Sequence, residues 1–129
     1  MSLSIARIDH VVLHVSDMER ALGFYTGVMG CEVERTVESL GLVQLRAGAS
    51  MIDLVPGLDR EASKPQARNM DHFCVRIHPW DENAIRAHLQ AHGIEAGRTE
   101  TRVGAEGAGP SIYLNDPDGN VVELKGPAD

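Results

Sequence analysis

The sequence predicts an α+β fold: two tandem βαβββ modules with a curved, mainly antiparallel sheet around a concave face. Three observations carry that expectation. The triplet Ile8, Asp9 and His10 returns as Met70, Asp71 and His72. The segment SMIDLVPG (Ser50 to Gly57) returns as NVVELKGP (Asn120 to Pro127), laying Asp53 over Glu123. Each copy also reads strand, helix, then several strands. A period this long, in two copies only, excludes a solenoid and points to two halves about a pseudo-twofold axis.

Taken in order, HVVLHV (His10 to Val15) is a strand by its β-branched content. Ser16 and Glu19 form a capping-box signature that opens a helix from about Asp17. Met18, Ala21, Leu22, Tyr25, Val28 and Met29 recur at helical spacing and give it an apolar stripe, and Gly30 is its stop. Strands follow over Cys31 to Val37, Leu42 to Ala47 and Ser50 to Val55. The first module then spans about residues 5–57, and the polar run PGLDREASKPQARN leads through a linker, 58–69, to a second module over about 70–127.

In that second module Asp81 caps a helix with the stripe Ile85, His88, Leu89 and His92, ended by Gly93. Strands are expected over Ile94 to Thr101, Ser111 to Asn115 and Asn120 to Lys125, the last two joined by a turn at DPDGN (Asp116 to Asn120). The Gly-rich VGAEGAGP (Val103 to Pro110) takes up the extra length of this half as a loop. It precedes a strand rather than a helix, which rules out a phosphate loop.

A chain of 129 residues, 43% hydrophobic, buries one core and makes one domain over 1–129. Its net charge of -7, with no basic patch, argues against a nucleic-acid partner. No apolar run approaches the ~18 residues of a membrane span, and MSLSIARID lacks the apolar core of a signal peptide, so a soluble cytoplasmic protein is expected. Cys31 and Cys74 have no metal-binding spacing and read as a reduced, buried pair.

Strand parity then sorts the side chains. Val11, Leu13 and Val15 share one face with Phe73, Val75 and Ile77, with Ile52 and Leu54, and with Val122 and Leu124. That aliphatic face is the one to carry the helices. The opposite face collects His10, Asp53, His72 and Glu123, one from each of four strands. Singly, each has a plain explanation as a surface or hydrogen-bonded residue. Together they repeat, one histidine and one carboxylate per half, and two imidazoles with two carboxylates are donors that borderline or hard divalent cations accept. His14 and His78 fall further along as rim residues. His88 and His92, one helical turn apart, are either a metal-binding pair or protonatable side chains favoured by the helix C-terminus.

At IDHVVLHVSDMERALGFYTGVMGCEV, at MDHFCVRI and at YLNDPDGNVVEL the chain resembles the vicinal oxygen chelate superfamily of glyoxalase I, fosfomycin- and bleomycin-resistance proteins, methylmalonyl-CoA epimerase and extradiol dioxygenases. The resemblance covers nearly the whole chain. It implies the paired βαβββ fold, a homodimer with sites shared between chains, and one divalent ion per site: nickel, cobalt, zinc, manganese or iron. His10, His72 and Glu123 match its metal ligands. Asp53 matches a fourth ligand that is a glutamate in bacterial glyoxalase I, and it is one methylene shorter.

The function so implied is a metal-dependent, glyoxalase-like lyase or isomerase acting on a small oxygenated substrate or its thiol adduct through a metal-chelated enediolate. Glu123 is the first candidate for the proton-moving carboxylate and Asp53 the second, with VGAEGAGP as a mobile lid. Two other classes stand beside it. One is a fosfomycin-type thiol transferase or epoxide hydrolase, for which Arg76 and Lys125 share the ligand face. The other is a metal-free, bleomycin-type drug-binding protein. Length disfavours a ring-cleaving dioxygenase.

Overall fold

Alternation in HVVLHV becomes strand β1 (His10–Val15), in which Leu13 and Val15 are buried while His10, Val12 and His14 are exposed. A computed structural model of the chain describes residue 3, residues 5–58 and residues 70–129. The linker expected at 58–69 falls, from residue 59 on, outside the described residues. Two compact units, Met1–Asp59 and Arg60–Asp129, are taken in turn.

In the first unit, helix α1 (Met18–Leu22) follows β1 and runs on through a wider π-helical turn, Gly23–Val28, closed by the Met29 N–H donating to the Phe24 carbonyl at 3.0 Å. Its N-cap is Asp17 rather than Ser16: the Asp17 carboxylate accepts from the Arg20 N–H at 3.2 Å. A carboxylate serves this position as well as a hydroxyl and adds a charge favourable to the helix N-terminus. Gly30 ends the helix at φ +77°, a conformation open to glycine without steric cost. Then come β2 (Glu32–Val37), β3 (Leu42–Ala47) and β4 (Ser50–Pro56) in the order β1-β4-β3-β2, with β1 and β4 parallel and the other pairs antiparallel. α1 lies against β4. Leu13, Val15, Ala21, Phe24, Tyr25, Leu45, Ile52 and Leu54 are buried, and the Phe24 and Tyr25 rings meet edge to face at 4.9 Å. Each such large apolar side chain contributes about 1.5–3 kcal/mol on burial.

The second unit repeats the plan with β5 (Phe73–Arg76), α2 (Glu82–Ala91), β6 (Glu100–Gly104), β7 (Gly107–Asn115) and β8 (Val121–Lys125), in the order β5-β8-β7-β6. Again the first and last strands pair in parallel, Cys74 opposite Glu123. Asp81 caps α2 by accepting from the Ala84 N–H at 3.1 Å. After β7, the Asp116 carboxylate accepts from the N–H groups of Asp118 and Asn120, and Gly119 sits at φ +79°, so DPDGN is a turn closed on its own side chain.

Three expectations need correction here. The strand over Ile94 to Thr101 shrinks to a single bridge between Ala96 and Leu114, and the strand proper starts at Glu100. VGAEGAGP is not a loop but part of the β6–β7 hairpin, paired from Glu100 with Ser111 to Gly104 with Gly107, so its extra length is strand. Gly109 serves close packing, since a Cβ there would collide with the Pro127 carbonyl oxygen, and Gly107 takes a positive φ of +114°. Finally, the cysteines are free but not both buried. Cys31 is interior, while Cys74 is exposed on the face opposite Phe73 and Val75.

Candidate functional site

Parallel pairing of first and last strands sets the chemistry of each half. In the first, β1 and β4 run side by side with Val12 opposite Asp53, so His10 and Asp53 project from one face. The same register places Cys74 opposite Glu123 in the second, with His72 one residue before β5 begins. His14 and His78 are exposed, and so are His88 and His92, whose ring centroids lie 4.6 Å apart; of that expected α2 stripe only Leu89 is fully buried.

Both carboxylates are interior: Asp53 is 4% and Glu123 6% exposed. That removes the plain explanation of them as solvent-facing residues. Buried carboxylates need partners. The Oε2 of Glu123 accepts from the Ser111 hydroxyl at 2.8 Å, its Oε1 stands 3.1 Å from His72 Nε2, and the Cys74 thiol also interacts with it. Asp53 has one: its Oδ2 accepts from the Gln44 amide at 3.2 Å, while its Oδ1 is buried without a hydrogen-bond partner.

Each histidine is held by the aspartate before it. Asp9 Oδ2 lies 2.8 Å from His10 Nδ1, and Asp71 Oδ2 lies 2.7 Å from His72 Nδ1. A carboxylate at Nδ1 fixes that nitrogen as the donor and leaves Nε2 to act outward. The hydrogen bond to Asp9 holds the His10 pKa above the ordinary histidine value, with the Asp53 charge adding to it against some desolvation, and lowers that of Asp9. Nearby, partial desolvation of the otherwise exposed sulfur and then the Glu123 charge push the Cys74 thiol up to about 11. No group of three or more His, Cys, Asp or Glu side chains placed to hold a metal ion occurs among the described residues.

Around the second pair, the Arg102 guanidinium lies over the Tyr113 ring at 4.1 Å, and that ring and the His72 ring meet edge to face with centroids 5.2 Å apart. Beyond Tyr113 an open hollow of about 450 Å³ is bordered by Glu95, Ala96, Gly97, Leu114, Asn115 and Val121. Gln44, Arg102 and Ser111 went unnoticed in the sequence because nothing in their local spacing marks them. Asp9 and Asp71 did leave a signal, the doubled Asp-His dipeptide.

This doubled arrangement has relatives. A match to the family described as Glyoxalase/Bleomycin resistance protein/Dioxygenase superfamily covers residues 7–124. The chain belongs to that superfamily. It is 35% identical over 126 residues to the glyoxalase domain-containing protein RDO1 of Mycosarcoma maydis, covering 95% of this chain and 69% of that one. To the human mitochondrial methylmalonyl-CoA epimerase it is 28% identical over 134 residues, covering 95% and 74%. The virulence protein STM3117 of Salmonella typhimurium is 32% identical over 130 residues, covering 96% and 86%. Its crystal structure matches with a TM-score of 0.79 at 30% identity, covering 98% of this chain and all of that one. As a superfamily member the chain has metalloenzyme relatives, and among its described residues no helix is long and apolar enough to cross a membrane.

Proposed function

We propose that this protein is a divalent-metal-dependent lyase or isomerase of the glyoxalase type, moving a proton beside a carbonyl of a small oxygenated substrate or its thiol adduct. The observation that carries the proposal is the pairing of His72 Nε2 with Glu123 Oε1 at 3.1 Å while Nδ1 is engaged by Asp71. An imidazole that donates from Nδ1 presents a lone pair at Nε2, and opposite a carboxylate oxygen that lone pair needs a proton or a cation between them. Two ligands bound at about 2.1 Å and at right angles stand about 3.0 Å apart, which suits a shared cation. The orphaned Oδ1 of Asp53 supports the same reading in the first half, as a buried acceptor that still lacks a charge to face.

His10, Asp53, His72 and Glu123 would hold the ion, in a homodimer whose sites draw on both chains. When bound, the ion supplies Lewis acidity to neighbouring substrate oxygens. Asp9 and Asp71 keep the imidazoles oriented, and Ser111 holds Glu123 still. Asp53 is then the better candidate to take the proton, because no hydrogen bond restrains the Oδ1 that it would offer the ion. This reverses the order that the family resemblance suggests for Asp53 and Glu123. The hollow beside Tyr113 suits the remainder of the substrate. Similarity to methylmalonyl-CoA epimerase favours the isomerase side of this class.

The test is metal content and affinity per chain for the untagged native protein and for His10→Ala with Glu123→Ala, followed by glyoxalase and epimerase assays with each candidate metal. About one ion per chain, lost in the double variant, is expected. A native protein that takes up none after reconstitution would sink the metalloenzyme reading in favour of ligand sequestration.

A further inference from the structure

Ser111 is fully buried, and its hydroxyl lies between two charged groups. Arg102 Nη1 donates to Ser111 Oγ at 3.0 Å and to the Ser111 carbonyl at 3.2 Å; Ser111 Oγ in turn donates to Glu123 Oε2 at 2.8 Å. The direction is forced. A guanidinium has no acceptor, so the hydroxyl must accept from it, and the single hydroxyl proton is then committed to the carboxylate. Arg102 is itself held, by Glu100 at 3.1 Å and by its stacking on Tyr113. A charged donor on one side and a charged acceptor on the other make this a stronger link than a neutral hydroxyl contact.

Among the described residues the first half has no equivalent. Asp53 is tied through Gln44 alone, by a longer bond, and among the described residues no ion pair joins it to His10. The two carboxylates are therefore not interchangeable.

We infer that Arg102 and Ser111 are positioning residues of the ion site: they clamp Oε2 of Glu123 so that this carboxylate offers the ion one oxygen, Oε1, in one direction. The inference rests on the reading of His72 and Glu123 as ligands. It assigns to two residues outside the ligand set the task of setting how Glu123 binds, and it makes Glu123 the fixed carboxylate of the pair. Outer-shell groups of this kind typically change metal affinity about 10–100-fold.

The experiment is titration of the full untagged chain with Co(II), followed by calorimetry and by the ligand-field absorption of the bound ion, for native protein, Ser111→Ala, Arg102→Gln, the double variant and Glu123→Ala. Ser111→Ala should weaken Co(II) binding about 10–100-fold and alter the absorption spectrum as Glu123 gains freedom to bind through both oxygens. Arg102→Gln should weaken it by about 10-fold, and by less than about 2-fold once Ser111 is already alanine, because its effect passes through the hydroxyl. Arg102 is partly exposed, so its variant keeps the test open should Ser111→Ala fold poorly. Binding by Ser111→Ala or Arg102→Gln within about 2-fold of native, with an unchanged spectrum, would overturn the inference. A Glu123→Ala variant that binds as native does, or a native chain that binds no Co(II), removes the ligand assignment itself and the clamp with it.

Discussion

The two halves of this chain share a strand order and an Asp-His dipeptide, yet their site residues are held by different means. In the second half a histidine, a glutamate, a serine and an arginine form one connected chain of hydrogen bonds and ion pairs. In the first, His10 feels Asp53 only through its charge, and one oxygen of Asp53 is left over. The difference lies in the partners: His72 and Ser111 both meet Glu123, whereas Gln44 alone bonds Asp53, so a repeat that looks symmetric in sequence becomes a joined pair and an unjoined pair in space.

The largest test of that contrast concerns the helices. α1 and its π-helical continuation bury Ala21, Phe24 and Tyr25, whereas α2 buries only Leu89. Phe24→Ala should lower stability by about 3–5 kcal/mol in chemical denaturation. In native hydrogen exchange α2 should open at lower free energy than α1. Equal protection of the two helices would show that buried apolar contact is not what anchors them.

Next in size are the carboxylates. Glu123→Ala should weaken metal binding by about 100-fold and Asp53→Ala by about 10-fold, as read by calorimetry, because only the first removes a prearranged ligand. If the two losses are equal, the tether to Ser111 adds nothing. The reverse change sharpens the same point. Asp53→Glu should bring the first half closer to the second and raise affinity by up to about 10-fold, while lowering turnover if a free Asp53 oxygen is what accepts the proton. A gain in both would reassign the proton to Glu123.

The smallest effect compares the two helix caps. Asp17→Ala and Asp81→Ala should each cost about 1 kcal/mol, since each carboxylate accepts from the N–H three residues on at nearly the same distance, 3.2 and 3.1 Å. A loss much larger at one end, by thermal denaturation, would mean that the cap also holds tertiary contacts.

Much of this architecture was legible from side-chain alternation and from the repeat. Leu42–Ala47 forms a strand with the expected bounds, Gly30 and Gly93 stop their helices at positive φ, and DPDGN is the expected turn. The parity of His10, Asp53 and Glu123 was readable too, because strand geometry alone decides it. Ser16 and Asp17 both suit the cap position by residue type, and only backbone geometry separates them. The hairpin at VGAEGAGP was hidden because glycine signals a loop in one dimension and close packing in three. Likewise Ser111, Arg102 and Gln44 act from neighbouring strands, through register that no local pattern encodes.

In each half the first strand pairs with the last, so His10 waits for Asp53 and His72 for Glu123 until nearly the whole module has been made. Such closures carry a chain-entropy cost that grows slowly with loop length, and they are the slow contacts in forming a sheet. During synthesis on the ribosome the first pair can close once β4 has emerged, long before β8 is made, and the second only with β8. Each pair is therefore brought together in the step that finishes its own module, and a chain cut short between the two steps already holds His10 and Asp53 on one face without their counterparts.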